Sequence, residues 1–187
     1  MDTLTSIALG IWVFLPAMVP NSAAVFFGGG LPMDMGRTWR GKRILGDGKT
    51  WRGFLGGTLT GILVGLIQLL VGDLLGSEDY LGFGLMPEAL LIILALAIGS
   101  LLGDLGGAFV KRRLGLERGA KVTGLDQYDF VVGALLLALL VQPQWISERY
   151  LQGLGIVALA VLLLVVPVIH RLVNIIGFKK GLKKEPW

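Results

Sequence analysis

The sequence predicts an all-α integral membrane protein with five transmembrane helices, forming one domain over residues 1–187. Three observations predict it. The chain is 54% apolar and only 16% charged, with a mean hydropathy of +0.75; a soluble domain usually carries about a quarter charged residues. Apolar runs recur at the length needed to cross roughly 30 Å of hydrocarbon, about 20 residues for a helix. All but one of the 17 lysines and arginines gather in three clusters between and after those runs. No linker or composition shift marks off a second domain. The absence of cysteine excludes a disulfide, a thiolate metal site and a thiol nucleophile.

The spans are expected at about 4–27, 53–75, 89–110, 125–142 and 151–172. The start of the chain, Met1-Asp2-Thr3, lacks the basic region of a signal peptide, so the first run is read as a retained span. Pro16 and Pro20 interrupt it, and irregular backbone at that depth is tolerated only where it is buried in protein or lines a cavity. Gly28-Gly29-Gly30 permits a turn after it. The fourth run is short. From Phe130 to Val141 is about 12 residues, roughly 18 Å of helix, so it crosses only if it begins near Leu125. That start places Asp126 and Asp129 at the membrane face, level with Asp104, which lies about two turns inside the third span.

Arg37, Arg40, Lys42, Arg43, Lys49 and Arg52 lie in or beside a first loop of about 28–52. Lys111, Arg112, Arg113, Arg118 and Lys121 occupy a second, about 111–124. Arg171, Lys179, Lys180, Lys183 and Lys184 follow or close the last span, and only Arg149 falls on the other face. The positive-inside rule puts both loops and the C-terminus in the cytoplasm and the N-terminus outside. Gly53, Gly57, Gly61 and Gly65 recur at four-residue spacing in the second span, and Gly99, Gly103 and Gly107 in the third. Such rows let helices approach closely, within the monomer or across a homodimer seam. The second row could instead open space for a ligand beside Asp104.

The charges that carry chemistry lie between Gly103 and Asp129. Charge inside or beside hydrocarbon is costly and marks function by default. Asp104 and Lys111, nearly two turns apart, share a helix face. The cations alone would suit headgroup anchoring, but no anchor requires Asp104. Asp126 and Asp129, an i, i+3 pair, face one way and repel unless a cation sits between them. Magnesium binds through one or two carboxylates plus substrate phosphates. The plainer alternative is an acidic first helical turn meeting the helix dipole. In the first loop, Gly46-Asp47-Gly48-Lys49-Thr50-Trp51-Arg52-Gly53 is glycine-rich and basic. It is not a P-loop, since Arg43 stands where the first glycine belongs and no strand precedes it. Its backbone N–H groups and cations suit phosphate, although a solvated basic loop reads similarly. Asn21 could offer its amide to a base or a phosphate, or simply sit at a kink. His170, the one histidine, is read as interfacial and not as a general base.

In combination, P-N-S-A-A (20–24), G-K-R-I-L-G-D-G-K-T-W-R-G (41–53), G-D-L-G-G-A-F-V-K-R-R (103–113) and L-D-Q-Y-D-F (125–130) resemble the archaeal CDP-archaeol synthase family along the whole chain. The wider CDP-diglyceride synthase family carries S-x-x-K-R and, later, D-R-x-D. Lys111-Arg112 and Asp126/Asp129 match these, while Ala108 replaces the serine and Gln127 the arginine. The bacterial His-Gly-Gly before the second motif is absent. The resemblance implies a nucleotidyltransferase of the cell membrane, with its active site on the cytoplasmic side. It would join CTP to an unsaturated isoprenoid ether lipid phosphate, 2,3-di-O-geranylgeranylglyceryl phosphate, with Mg2+ as cofactor and no nucleic-acid partner. The catalytic expectation is Asp104, Lys111, Asp126 and Asp129, with metal on Asp126, Asp129 and Asp104. CTP phosphates and base fall to Asn21, Gly48, Lys49, Thr50, Arg52, Arg112, Arg118 and Gly119.

Rival readings fit less well. A CDP-alcohol phosphotransferase, a different CDP-lipid enzyme, needs a D-G-x-x-A-R stretch that is missing. A prenyltransferase needs two acidic clusters and more helices. A small transporter commonly shows two matching halves, and five spans do not divide into two. A headgroup-binding scaffold explains the basic loops but not the buried acids.

Overall fold

The computed structural model describes residues 2–117, 119–179 and 181. Within them the chain forms seven α-helices, one π-helical turn and one two-stranded antiparallel pair: α1 Thr3–Met18, α2 Pro20–Phe27, β1 Thr38–Trp39, β2 Lys42–Arg43, α3 Trp51–Leu74, α4 Glu88–Arg113, α5 Leu125–Val141, α6 Pro143–Ile146, a π-turn at Ser147–Leu151, and α7 Gly155–Lys179. Four rods are long and apolar enough to cross a membrane: Thr3–Phe27 (α1 and α2 together), α3, α4 and α7. The fourth expected span, α5, begins at Leu125 as its length argument requires, but at 17 residues it is about 26 Å long and falls short of those four. The last rod starts four residues later than expected, because the π-turn and then Gln152, Gly153 and Leu154 precede it.

Side-chain chemistry explains the first break. Asp2 caps α1, accepting from the Thr5 N–H at 2.7 Å. Helical backbone runs to Met18 and restarts at Pro20, which stands at the first position of α2, where its missing N–H costs nothing. Pro16 lies inside α1 and frees the carbonyl four residues back, that of Trp12. Gln68 of α3, 2% exposed, donates its Nε2 to that carbonyl at 2.7 Å. The same repair recurs in α7. Pro167 frees the Leu163 carbonyl, and the Tyr128 hydroxyl of α5 donates to it at 2.9 Å. In hydrocarbon, where water cannot serve a broken helical bond, neighbouring side chains must.

The glycine rows are packing surfaces within the chain. Gly53, Gly57 and Gly61 lie against the backbone carbonyls of Ala24, Pro20 and Pro16, and Gly65 lies under Ile93. The α3 row is therefore filled by α1, α2 and α4, and offers no seam to a second copy. Leu55, Leu59, Leu63, Leu70 and Leu74 look outward from the other side of α3. Gly99 and Gly103 of α4 meet the backbone of α5 at Gly133 and Asp129. The expectation that this second row clears space beside Asp104 is corrected: α5 occupies the space. The apolar core is built from Val13 and Phe14 of α1, Ile92, Ile93 and Leu96 of α4, Phe130 and Val131 of α5, and Leu162 and Val166 of α7. Tyr150 is fully buried and donates to the Gly10 carbonyl at 2.6 Å.

Candidate active site

The site lies where the 28–50 loop covers the ends of α4 and α5. Gly29 and Gly30, both at positive φ, turn the chain after α2. Its return is sealed by the Trp51 N–H donating to Leu31 and the Met33 N–H to Lys49. Thr50 is 4% exposed and accepts from the Gly53 N–H at 3.1 Å. A residue expected to touch phosphate thus has its side-chain oxygen engaged as the N-cap of α3.

Asp34 organises the rest of this loop. It accepts from Arg43 at 2.7 and 3.2 Å, from the N–H groups of Leu45 and Gly46 at 3.0 and 2.9 Å, and from that of Gly36 at 3.1 Å. The Arg43 guanidinium, followed by these backbone donors, holds its carboxyl well below the usual carboxylate range. Arg43 also pairs with Asp47 at 2.6 Å. Strands β1 and β2 join through Arg40 and Gly41, both at positive φ, as a two-residue hairpin turn requires. Arg113 from the end of α4 clamps the hairpin, donating to the carbonyls of Trp39 and Arg43 at 2.6 Å and of Lys42 at 3.1 Å. The Trp39 ring stacks on Phe109 at 5.7 Å, and the Arg113 guanidinium lies 5.2 Å from both ring centres.

Lys49 then reaches α4, with its Nζ 2.5 Å from Asp104 Oδ2. Lys111 forms a second ion pair with Asp126 Oδ1. That pair is close but not aligned as a hydrogen bond, and the ammonium donates instead to the Ala120 carbonyl at 3.0 Å. Asp126 Oδ2 accepts from the Val122 N–H at 3.0 Å, closing the turn into α5. Asp129 lies between the pairs, within electrostatic reach of Asp104, Asp126 and Lys49. No cation forms an ion pair with it among the described residues. Its Oδ1 accepts from the Phe130 N–H at 2.6 Å, and its carboxylate rests on Gly107, where a β-carbon would overlap it.

The structure thus joins Asp104, Lys111, Asp126, Asp129 and Lys49 in one cluster. Gly48 is exposed on the loop beside Lys49. The Arg52 side chain lies over Gly30. Arg112 carries a buried Nε without a partner. Gly119 sits at positive φ in the second loop, and Arg118 lies outside the described residues. Asn21 lies on the first turn of α2. Of the three expected metal ligands, Asp104 faces Lys49 and Asp126 faces Lys111, and among the described residues no three acidic or histidine side chains are gathered as they stand. Sequence reasoning missed Asp34, Arg43, Trp39 and Arg113 as organisers. The usable signal was Asp34, an acid ahead of the loop's six cations.

Comparison with known proteins identifies the family. The CarS-like CDP-archaeol synthase family model matches residues 3–187. A CDP-archaeol synthase of Methanospirillum hungatei JF-1 is 51% identical over 174 residues, covering 92% of this chain and 99% of that protein. One from Halorubrum lacusprofundi is 45% identical, covering 97% of each. A solved structure described as an intramembrane enzyme for archaeal membrane lipids biosynthesis aligns with a TM-score of 0.57 at 37% identity, covering 84% of this chain and 90% of that one. With a family match over nearly the whole chain and relatives near half identical along their full lengths, the chain belongs to the CDP-archaeol synthase family.

Proposed function

We propose that the protein transfers the cytidylyl group of CTP to an isoprenoid ether lipid phosphate, releasing pyrophosphate and forming a CDP-lipid. The observation that carries this reading is the pair of Lys–Asp contacts, Lys49–Asp104 and Lys111–Asp126, flanking Asp129 where the loop meets α4 and α5. A phosphate oxygen of the lipid attacks the α-phosphorus of CTP, a new P–O bond forms, and the α–β bridge bond breaks. A phosphomonoester has a second pKa near 6, so the nucleophile is already ionised near neutral pH and needs no general base. The task left to the protein is to bring two polyanions together and stabilise the leaving charge, which is positioning and electrostatics.

Each lysine is held by a carboxylate until phosphates compete for it. Lys49 and Lys111 then turn to the phosphates, with Arg52 and Arg112 beside them, and Asp104 and Asp126 are released. The donor set suits Mg2+: Asp129 with Asp126 supplies the one or two carboxylates that magnesium combines with substrate phosphates. Bound there, the ion would neutralise phosphate charge. Five crossings, with α5 as the fifth, and cytoplasmic basic loops complete the reading. CTP would arrive from the cytoplasm and the lipid sideways from the leaflet.

Purified protein given labelled CTP, Mg2+ and the lipid phosphate should release pyrophosphate only when the lipid is present. Flux across liposomes without that reaction would favour a transporter instead. Retention of full activity in both Asp126→Asn and Asp129→Asn would overturn the metal role.

A further inference from the structure

A second polar site lies at the other end of the bundle. α5 runs 17 residues away from the aspartates, about 26 Å, and the chain then turns through α6 and the π-turn into α7. A cavity of about 340 Å3 opens there, lined by Ser6, Trp145, Glu148, Arg149, Gln152 and Leu154, among others. Its size falls within the roughly 300–1,000 Å3 of small-molecule sites. Arg149 is the one lysine or arginine of the sequence outside the three basic clusters. It is half-buried and forms no ion pair among the described residues. Its Nη2 donates to the Gly82 carbonyl at 3.0 Å. Its Nε is shielded without a partner, and Nη1 is left without a hydrogen bond among the described residues. We infer that this cavity holds the headgroup of a phosphodiester membrane lipid, with the phosphate on Arg149.

A half-buried cation without a counter-ion costs free energy unless an anion answers it, and the planar guanidinium matches phosphate geometry. The arginine is also held ready. Trp145 Nε1 donates to the same Gly82 carbonyl at 2.9 Å, and Gly82 sits at φ +96°, where a β-carbon would overlap the guanidinium. Glu148 narrows the choice of anion. Its carboxylate lines the same cavity, with Oε1 accepting from Gln144 at 2.9 Å, and it repels a second negative charge. A phosphomonoester carries close to two charges near neutral pH and a triphosphate more, whereas a phosphodiester carries one. The surroundings make the ligand a lipid. Leu154 in the lining, and Leu151 and Ile156 near it in sequence, are exposed apolar side chains, as at a hydrocarbon boundary. Tryptophan at such a boundary sits at headgroup level, and Trp145 shares the cavity with Arg149.

The test is native mass spectrometry of the full-length protein in detergent, offered phosphatidylglycerol, phosphatidic acid or uncharged diacylglycerol. Wild type should retain one phosphatidylglycerol in preference to diacylglycerol, and neither saturating CTP with Mg2+ nor excess inorganic phosphate should displace it. Arg149→Gln should weaken that retention about tenfold or more, the scale of hydrogen bonds to a charged group, with pyrophosphate release unchanged. The adduct lost in Arg149→Gln should be smaller with phosphatidic acid, a phosphomonoester, which separates it from lipid phosphate bound at the charged cluster. Equal retention of phosphatidylglycerol and diacylglycerol by wild type overturns the proposal without any variant, so poor folding of Arg149→Gln cannot shield it. Displacement by CTP would put the lipid in the charged cluster, and displacement by inorganic phosphate would make the cavity a free-anion site. Unchanged retention in Arg149→Gln would remove the arginine from the site, and a larger Arg149-dependent adduct with phosphatidic acid would remove the phosphodiester. Each of these outcomes overturns the proposal.

Discussion

Lys49 Nζ lies 2.5 Å from Asp104 Oδ2, joining a glycine-rich loop to a membrane helix 55 residues further along the chain. Both side chains keep about a quarter of their surface exposed, 29% and 25%, so the pair should add at most about 1 kcal/mol to stability. In the function proposed above, the pair stores a cation for the phosphates of CTP. Lys49→Ala should therefore lower kcat/KM for CTP by about 100-fold, the scale of losing one preorganised charge or donor, while shifting Tm by only a few degrees. Parallel kinetics and thermal unfolding decide the matter. A collapse of Tm that accounts for the lost activity would make the pair structural.

Asp34 makes a complementary prediction, because it touches no phosphate-binding side chain except through the loop it organises. Asp34→Asn should raise the KM for CTP about tenfold with little change in kcat, since each lost charge-assisted hydrogen bond is worth roughly 1.5–3 kcal/mol and the loss falls on loop order. The pH dependence has a definite sign. Its folded pKa is depressed, so its stabilisation is complete above the unfolded value of about 3.9 and fades as pH falls below it toward the folded value. Fluorescence of Trp39 against pH should report a hairpin that loosens in acid in wild type. Asp34→Asn should lack that acid transition; an identical profile in both proteins would exclude Asp34 as its source.

The same residues explain what could be read from the sequence. Apolar length located the rods, and the shortness of the Phe130 run even fixed the start of α5 at Leu125. Length arguments put Asp104, Asp126 and Asp129 together because position along a helix axis is one-dimensional. Pairing is not. That Lys49 chooses Asp104 and Lys111 chooses Asp126 depends on how a loop folds over two helix ends. The β1–β2 hairpin was equally hidden: its strands have two residues each, and its hold comes from Arg113, some 70 residues away. Glycine spacing announced close contact at Gly103 and Gly107 without saying that the partner was Asp129.

Those glycines yield a third prediction. A β-carbon at Gly103 would overlap the Asp129 backbone, one at Gly107 would overlap its carboxylate, and one at Gly106 would meet nothing within 4 Å. Gly103→Ala should cost about 1–3 kcal/mol by overpacking the α4–α5 seam. Gly107→Ala should displace Asp129 and depress activity more than stability. Gly106→Ala should be neutral or stabilising by up to about 1 kcal/mol, as alanine replacing glycine inside a helix generally is. Thermal unfolding and pyrophosphate release on the three variants provide the comparison, and equal effects at Gly106 and Gly107 would contradict the packing described.

The α7 kink offers the most stringent test, because it predicts a coupling and not only a loss. Tyr128 stands between Asp126 and Asp129 in sequence, and its hydroxyl serves the Leu163 carbonyl that Pro167 leaves without a helical donor. Tyr128→Phe should destabilise by about 0.5–1.5 kcal/mol, the net value of one such bond. In a Pro167→Ala background the new N–H at position 167 can donate to Leu163 in the ordinary helical way, and the cost of Tyr128→Phe should largely vanish. The four proteins form a double-mutant cycle, read by unfolding in detergent. An equal cost in both backgrounds would mean that the hydroxyl stabilises α7 by something other than repairing the proline. A cost that vanishes would tie the course of α7 past Pro167 to the turn of α5 that carries the two aspartates.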